Sequence, residues 1–373
     1  MSAYLDRITR LRSELDSAEV DGILISQPES RYYLSGYRGH DLPPRDSAGY
    51  LLITKSAAML FTDTRTNEQA ALEAPDYEVV TYSAGAKASD LLKERLSALG
   101  AHKLGFEAIH LPYGIYSRFR EALEGEVELV PTQDLVDRLR IVKDAQELAM
   151  LQAAIDVLDE CLAHVLTEVR PGQTEKAIAW EVERYLRTHG ADGTSFSSIV
   201  ASGPNASMPH AIPSDRQFQR GEPIKIDIGA LKDGYCSDMT RTVCIGPAPD
   251  RLKEVYGIVL NAQETAERDM RPGMTGADVD QISRAVIEKA GFKDNFSHST
   301  GHGIGLEVHE PPWVSPIRGE TVLQPGMVFS VEPGIYLPGW GGVRIEDLVV
   351  MQEDGARVMT GSPKQLELTE VSA

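Results

Sequence analysis

Cysteine is scarce in this chain: Cys161, Cys236 and Cys244 are the only three, an odd number with no C-x-x-C spacing. A disulfide framework is therefore not expected, and a reducing compartment, the cytoplasm, is. Positive charge is also short, with 37 Lys and Arg against 56 Asp and Glu, a formal charge of −19. So acidic a surface repels phosphate backbones, and no basic patch with interleaved aromatics occurs, so nucleic acid is not an expected partner. No uninterrupted apolar run approaches the ~20 residues of a membrane helix, so no membrane association is expected either. The N-terminal stretch is charged from Asp6 onward and lacks a cleavable apolar core. With Leu5, Ile8, Leu11 and Leu15 at helical spacing, it reads as an amphipathic surface helix and not as a signal peptide.

What is present is ordinary globular material: 373 residues, 42% hydrophobic and 25% charged. That length suggests two domains, each able to bury a core. In the first ~140 residues, short apolar runs at Gly22–Ser26, Tyr50–Ile53, Ala58–Phe61, Glu78–Tyr82 and Lys103–Phe106 read as strands. Thr66–Ala74, Ser89–Leu99 and Tyr113–Leu123 read as helices between them, which makes an α/β layer. A long helical period then opens at Asp144, with Leu151, Ile155, Leu158, Leu162 and Val165 on one face. The domain boundary is expected within 133–143, dividing the chain into 1–138 and 139–373.

The second domain contains an internal repeat. Arg170-Pro-Gly-Gln-Thr174 precedes a helix ending at Gly190, and Arg271-Pro-Gly-Met-Thr275 precedes one ending at Gly291, 101 residues later at both ends. Thr as N-cap and Gly beyond the last turn are sound helix punctuation in both copies. Two capped helices can resemble each other by chance. Here, however, each is followed by a glycine-bearing loop with histidine (His210; His302 and His309) and then a strand pair. A pseudo-symmetric α+β domain is expected, with its site where the halves meet.

Acidic residues interrupt the apolar strands of both halves. In the first, Pro223–Ala230 and Tyr235–Val243 flank the turn signal Lys232-Asp233-Gly234. A two-residue loop at Lys232-Asp233 would put Asp227 directly opposite Asp238, unless a bulge shifts the register. Two facing carboxylates repel each other, so either one is solvated and the other caps a turn, or a cation sits between them. In the second half, Val328–Glu332 and Gly342–Val350 carry Glu332 and Glu346, with Gly334–Gly342 connecting them. Between the hairpins lies His298-Ser-Thr-Gly-His302-Gly-Ile-Gly-Leu-Glu-Val-His309, whose glycines permit positive φ and close approach around His302. Three histidines beside four acids favour a metal site. GHGIG is not a phosphate cradle, since no G-x-x-x-x-G-K-[ST] accompanies it.

Read together, IDIGALKDGYCSDMTRTV, STGHGIGLEVHE, VEPGIY and GGVRIED resemble the pita-bread metallopeptidases, the superfamily of prolidase, aminopeptidase P, methionine aminopeptidase and creatinase. SRYYLSGY and LVDRLRIVKDAQELAML are similar to the creatinase-type N-terminal domain, so the likeness spans nearly the whole chain and favours the Xaa-Pro peptidase branch. The resemblance implies an α/β creatinase-like N-terminal domain and an α+β pita-bread catalytic domain. It implies that Asp227 chelates one metal, that Asp238 and Glu346 bridge two, and that His302 and Glu332 complete the second site. Four carboxylates and one imidazole form a hard, oxygen-rich set that favours two Mn²⁺ ions, with Co²⁺ or Zn²⁺ as alternatives. A water bridging the ions would be the nucleophile. By the same resemblance, Glu332 is the general base, His309 stabilises the oxyanion and His210 contacts the scissile peptide. His298 and Arg344 fall on substrate-pocket positions, although His298 can equally support a ligand from behind and Arg344 can simply neutralise the acids.

The expected substrate is a short proline-containing peptide, and the expected assembly a homodimer. A metal-dependent ring hydrolase such as an ectoine hydrolase would retain the same ligands. A creatinase-like amidinohydrolase or a non-catalytic binding module would have lost some. The sequence departs from one common pattern. Many dipeptide-specific relatives carry an arginine four residues after the second histidine, whereas Trp313 stands there in this chain. An indole has one N–H and no charge, so a blocked or longer peptide is expected to serve at least as well as a free dipeptide, unless Arg318 or Arg344 substitutes.

Overall fold

A computed structural model describes residues 3–41 and 47–368. The chain divides into two compact units, Met1–Arg140 and Ile141–Ala373. In the first unit, helix α1 (Ala3–Leu15) buries Ile8, Leu11 and Leu15, as its spacing predicts. There follow β1 (Gly22–Ile25), α2 (Pro28–Ser35), β2 (Tyr50–Thr54), β3 (Ala58–Asp63), α3 (Asn67–Glu73), β4 (Glu78–Tyr82), α4 (Ala88–Leu99), β5 (Lys103–Glu107), α5 (Tyr113–Leu123), β6 (Glu128–Thr132) and α6 (Asp137–Arg140). The strands form one sheet ordered β4-β3-β2-β1-β5-β6. It is parallel except for β2, which runs against both neighbours. Leu92 and Leu96 of α4 and Phe119 and Leu123 of α5 pack with Leu52, Phe61 and Leu104 of the sheet in one core. Three elements escaped the sequence reading, the short α6 among them. Helix α2 opens on Pro28 and closes on Gly36 at φ 79, sound helix punctuation inside a short polar stretch. Strand β6 carries Pro131, which is tolerated because the strand lies at the sheet edge.

The second unit begins with α7 (Ala145–Glu168), which Asp144 and Glu147 close with a reciprocal capping box. Then come α8 (Glu175–Thr188), β7 (Gly193–Thr194), β8 (Ile199–Ser202), β9 (Ile224–Ile228), β10 (Ala230–Lys232), β11 (Tyr235–Cys236) and β12 (Met239–Ile245). The other half has α9 (Asp250–Asp269), α10 (Gly276–Lys289), β13 (Gly301–Gly303), β14 (Glu310–Val314), β15 (Val328–Val331), β16 (Gly334–Leu337), β17 (Gly341–Arg344), β18 (Asp347–Gln352), β19 (Gly355–Val358) and β20 (Glu367–Leu368). In each half a helix pair covers a sheet: α7 and α8 cover β8, β9 and β12, while α9 and α10 cover β14, β15 and β18.

The repeat is visible bond by bond. Gly172 N–H donates to Phe218 O, and Phe218 N–H returns to Gln173 O; Gly273 and Leu323 with Met274 do the same. Glu175 and Lys176 N–H reach Arg216 and Ser214 carbonyls, as Gly276 and Ala277 reach Thr321 and Gly319. The helix starts of both copies are thus tied down by one ladder. Both helices also end on left-handed glycines, Gly190 at φ 92 and Gly291 at φ 88.

Two local expectations are corrected. The first hairpin turns on Asp233-Gly234 and not on Lys232-Asp233, because both residues take positive φ, 52° and 82°, as a hairpin turn matching strand twist requires. Lys232 therefore pairs with Tyr235, and Asp227 lies opposite Thr240, not Asp238. The shift is two residues, so side-chain parity is preserved and both aspartates stay on one face as diagonal neighbours. In the second half, Gly342–Val350 is not one strand. It breaks after Arg344: β17 pairs with β16 in a two-stranded ribbon, whereas β18 pairs with β15. The expected connection Gly334–Gly342 is itself most of that ribbon.

Candidate active site

The two half-domains meet between β12 and the segment Arg344–Glu346. Glu346 N–H donates to Thr240 O at 3.1 Å, and Arg344 N–H donates to Thr242 Oγ1 at 3.1 Å. That seam gathers the acids. Asp227 on β9, Asp238 just ahead of β12 and Glu346 between β17 and β18 are all buried, at 6%, 5% and 1% exposure. His302 comes from β13, and Glu332 follows β15. His302 Nε2 lies 3.2 Å from Glu332 Oε1 and 3.8 Å from Asp238 Oδ2. Ligand atoms of Asp238, His302 and Glu346 all lie within 4.8 Å of one another.

The glycines beside His302 serve by close approach alone, since neither takes positive φ. A Cβ on Gly301 would meet Ser330 O at 1.9 Å, and one on Gly303 would meet Pro311 O at 2.3 Å. The neighbouring strands press the imidazole forward into the cluster. Its Nδ1 sits 3.1 Å from Gly303 O, which can only accept, so Nδ1 carries a proton and Nε2 is the nitrogen turned to the acids; burial opposes a second proton there, but the contact with Glu332 outweighs it and raises the imidazole above its ordinary value.

The electrostatics call for cations. Burial, and then the charges of the neighbouring carboxylates, push Asp238 and Glu346 well above the usual carboxylate range. Burial opposes ionisation of Glu332 too, but the His302 contact, His298 and Arg344 outweigh it and hold Glu332 at about 2. Asp227 Oδ1, Asp238 Oδ1 and Glu346 Oε1 are buried with no hydrogen-bond partner. Orphaned oxygens of this kind are costly unless something positive takes them.

Around them lies a cavity of about 540 Å³ whose wall includes His210, His298, His309, Trp313, Arg318 and Arg344. His309 is exposed to it, with its ring centroid 4.2 Å from that of His302. Burial, and then the charge of His302, bring His309 down to about 4, so it is neutral at pH 7. His210 faces the same space from the loop ahead of β9. His298 is engaged at both nitrogens: Nδ1 lies 2.8 Å from Ser299 O and Nε2 2.8 Å from Tyr336 Oη. Arg344 is buried, and its donors go to Asp227, to Thr240 Oγ1 at 3.0 Å, to Tyr336 Oη at 2.7 Å and to Pro209 O at 3.3 Å. Thr240 and Tyr336 hold these groups, yet an isolated threonine or tyrosine in a strand carries no signal that would rank it from sequence. Phe196 also lines the cavity and belongs to no motif.

A pseudo-symmetric α+β unit thus gathers buried acids and a histidine at its internal seam, beside a cavity, in an arrangement suited to divalent cations. Residues 149–353 match the model of Metallopeptidase family M24, and residues 7–142 match that of the Creatinase/Prolidase N-terminal domain. The chain belongs to metallopeptidase family M24, with the two-domain pita-bread architecture. It is 40% identical to the uncharacterized peptidase YqhT of Bacillus subtilis, over 96% of this chain and 99% of that one. Among solved structures, an Xaa-Pro dipeptidase from Bacillus anthracis matches at 42% identity and TM-score 0.92, over 98% of this chain and 100% of that one. An X-Pro aminopeptidase from Thermotoga maritima matches at 37% identity and TM-score 0.87, over 97% and 100% of the two chains. Among the described residues, no helix is long and apolar enough to cross a membrane.

Proposed function

We propose that this protein hydrolyses the Xaa-Pro bond of short peptides, with two divalent ions held by Asp227, Asp238, His302, Glu332 and Glu346. The catalytic unit is residues 139–373. The observation that carries this reading is the convergence of four acids and His302, three of the acids with orphaned buried oxygens, beneath a peptide-sized cavity. The solved relatives named for Xaa-Pro and X-Pro cleavage support the choice of bond. The hard donor set favours Mn²⁺ over Co²⁺ and Zn²⁺ as the working ion.

When bound, the ions supply Lewis acidity and lower the pKa of the attacking water. The chain does the rest. Glu332, held as a carboxylate, takes the proton from that water and returns it to the leaving proline nitrogen. His309, neutral and facing the cavity, donates an N–H to the developing oxyanion. His210 contacts the peptide from the opposite wall. His298 and Arg344 act through others: Arg344 Nη1 donates to Tyr336 Oη, whose proton goes to His298 Nε2, and Arg344 fixes Asp227 at the same time.

We place the enzyme in the cytoplasm, since its three cysteines are free and buried, and we read it as a homodimer. Light scattering that returns a monomer mass at every dilution would overturn the second point. The activity itself is tested by Mn²⁺-reconstituted enzyme on Xaa-Pro dipeptides, Xaa-Pro-Yaa tripeptides and ectoine. Release of Xaa from the proline peptides is expected. Turnover of ectoine alone would replace this reading with a ring hydrolase.

A further inference from the structure

His210 reaches the cavity from a segment that the main chain does not hold. From Pro209 to Pro213 no main-chain group bonds to another main-chain group among the described residues, and both prolines lack an N–H to offer. Side chains tether the segment at its two ends. At the rear, Ser214 donates its N–H and its hydroxyl to Glu175 Oε2, at 3.0 and 2.6 Å, in the first turn of α8. At the front, the ammonium of Lys225 donates to Met208 O at 2.7 Å and to Pro209 O at 2.9 Å, the two carbonyls directly ahead of His210. Arg344 Nη1 adds a longer bond to Pro209 O, at 3.3 Å.

Lys225 stands on β9 in the run Ile224-Lys-Ile-Asp227-Ile and is fully buried. Burying an ammonium costs hydration that a methionine of similar length would not lose. Two carbonyls and the face of the Tyr336 ring, its centroid 5.2 Å from Nζ, replace that hydration. What the charged group adds over an apolar one is thus directed at the segment that carries His210. Residues two apart on a strand share a face, so Lys225 projects from the same face of β9 as Asp227. One strand therefore carries both a proposed metal ligand and the anchor of the His210 wall, which sets the one against the other.

We propose that Lys225 is a positioning residue for His210: its two bonds hold the imidazole at the place from which it meets the scissile peptide. This rests on the reading of His210 as a peptide contact and extends it to a residue outside the ligand set and outside the cavity wall.

The test is a double-mutant cycle on Mn²⁺-reconstituted enzyme. It compares kcat/KM for Ala-Pro, and Mn²⁺ affinity, in wild type, Lys225→Met, His210→Ala and the double variant. A misplacement of about 1 Å can cost about 10²-fold, and Lys225→Met should lower kcat/KM at least about tenfold. On top of His210→Ala the same change should cost less than about twofold, because the group it positions is gone. Mn²⁺ affinity should stay within about twofold of wild type, which a general disturbance of β9 and Asp227 would not allow. Lys225→Gln keeps an N–H donor on a shorter stem; it should lie between wild type and Lys225→Met, and it carries the cycle should Lys225→Met not fold. Losses that multiply in the double variant, metal lost in step with activity, or a fully active Lys225→Met beside an impaired His210→Ala overturn this proposal alone. A fully active His210→Ala overturns the peptide contact and this proposal with it. Should wild type cleave no Xaa-Pro peptide, crystal structures of wild type and Lys225→Met decide. An imidazole of His210 displaced by more than about 1 Å supports the positioning role, and a superimposable one overturns it.

Discussion

The hydroxyl of Thr240 donates to Glu346 Oε2 at 2.6 Å, across the seam between the two halves of the catalytic unit. Thr240 Oγ1 itself accepts from Arg344 Nε at 3.0 Å. One neutral side chain thus orients a proposed metal ligand from one half and the arginine that fixes Asp227 of the other. Thr240→Val preserves shape and removes both bonds. A metal affinity lower by about 10–100-fold is expected, read by titrating apo-protein with Mn²⁺, with the fold unchanged by circular dichroism.

Asp238 carries an orphaned buried oxygen in the centre of the acid cluster. Asp238→Asn should lower bound metal below two ions per chain in elemental analysis and abolish turnover. Full activity of chelator-stripped wild type without added metal would sink the dinuclear reading.

His309 faces the cavity and stands outside the proposed ligand set. His309→Ala should lower kcat by about 10²–10³, the usual effect of losing one oxyanion donor, at unchanged metal content. If metal and activity fell together, His309 would be a ligand.

Gly301 has no room for a side chain, since a Cβ there would meet Ser330 O at 1.9 Å. Gly301→Ala must push β13 away from β15 and carry His302 with it. A stability loss of about 1–3 kcal/mol is expected in thermal unfolding, as for other overpacked sites, together with weakened metal binding.

Cys161 is buried on α7, and burial, then the charge of Glu181, raise its thiol to about 12. The native thiol therefore stays protonated through pH 9, where an unfolded one ionises. Folding stability from this group is intact below the unfolded value near 8.5 and declines as pH rises above it, because the unfolded state releases its proton first. Native protein at pH 8 should leave Cys161 unmodified by a thiol-specific disulfide reagent, whereas denatured protein should react at all three cysteines. Rapid labelling of Cys161 in the native state would contradict its burial.

Much of this molecule is legible in local pattern. An aspartate inside Ile224-Lys-Ile-Asp227-Ile announces a buried charge needing a partner, and Thr174 and Thr275 followed by Gly190 and Gly291 mark equal helices without any coordinates. Helical period, caps and acids in apolar strands are properties of neighbouring residues, so sequence alone determined the α/β and α+β units, the internal repeat and the set of acids and histidines that meet. Register and strand breaks were decided elsewhere. Whether the hairpin turned at Lys232-Asp233 or Asp233-Gly234 depended on which pair could take positive φ. Whether Gly342–Val350 ran on as one strand depended on two different sheets competing for its halves. Arg318 and Arg344 are the clearest case. Both carry the same charge, and only tertiary packing, which buries Arg344 against Asp227 and lays Arg318 on the Trp313 ring, gives them different surroundings.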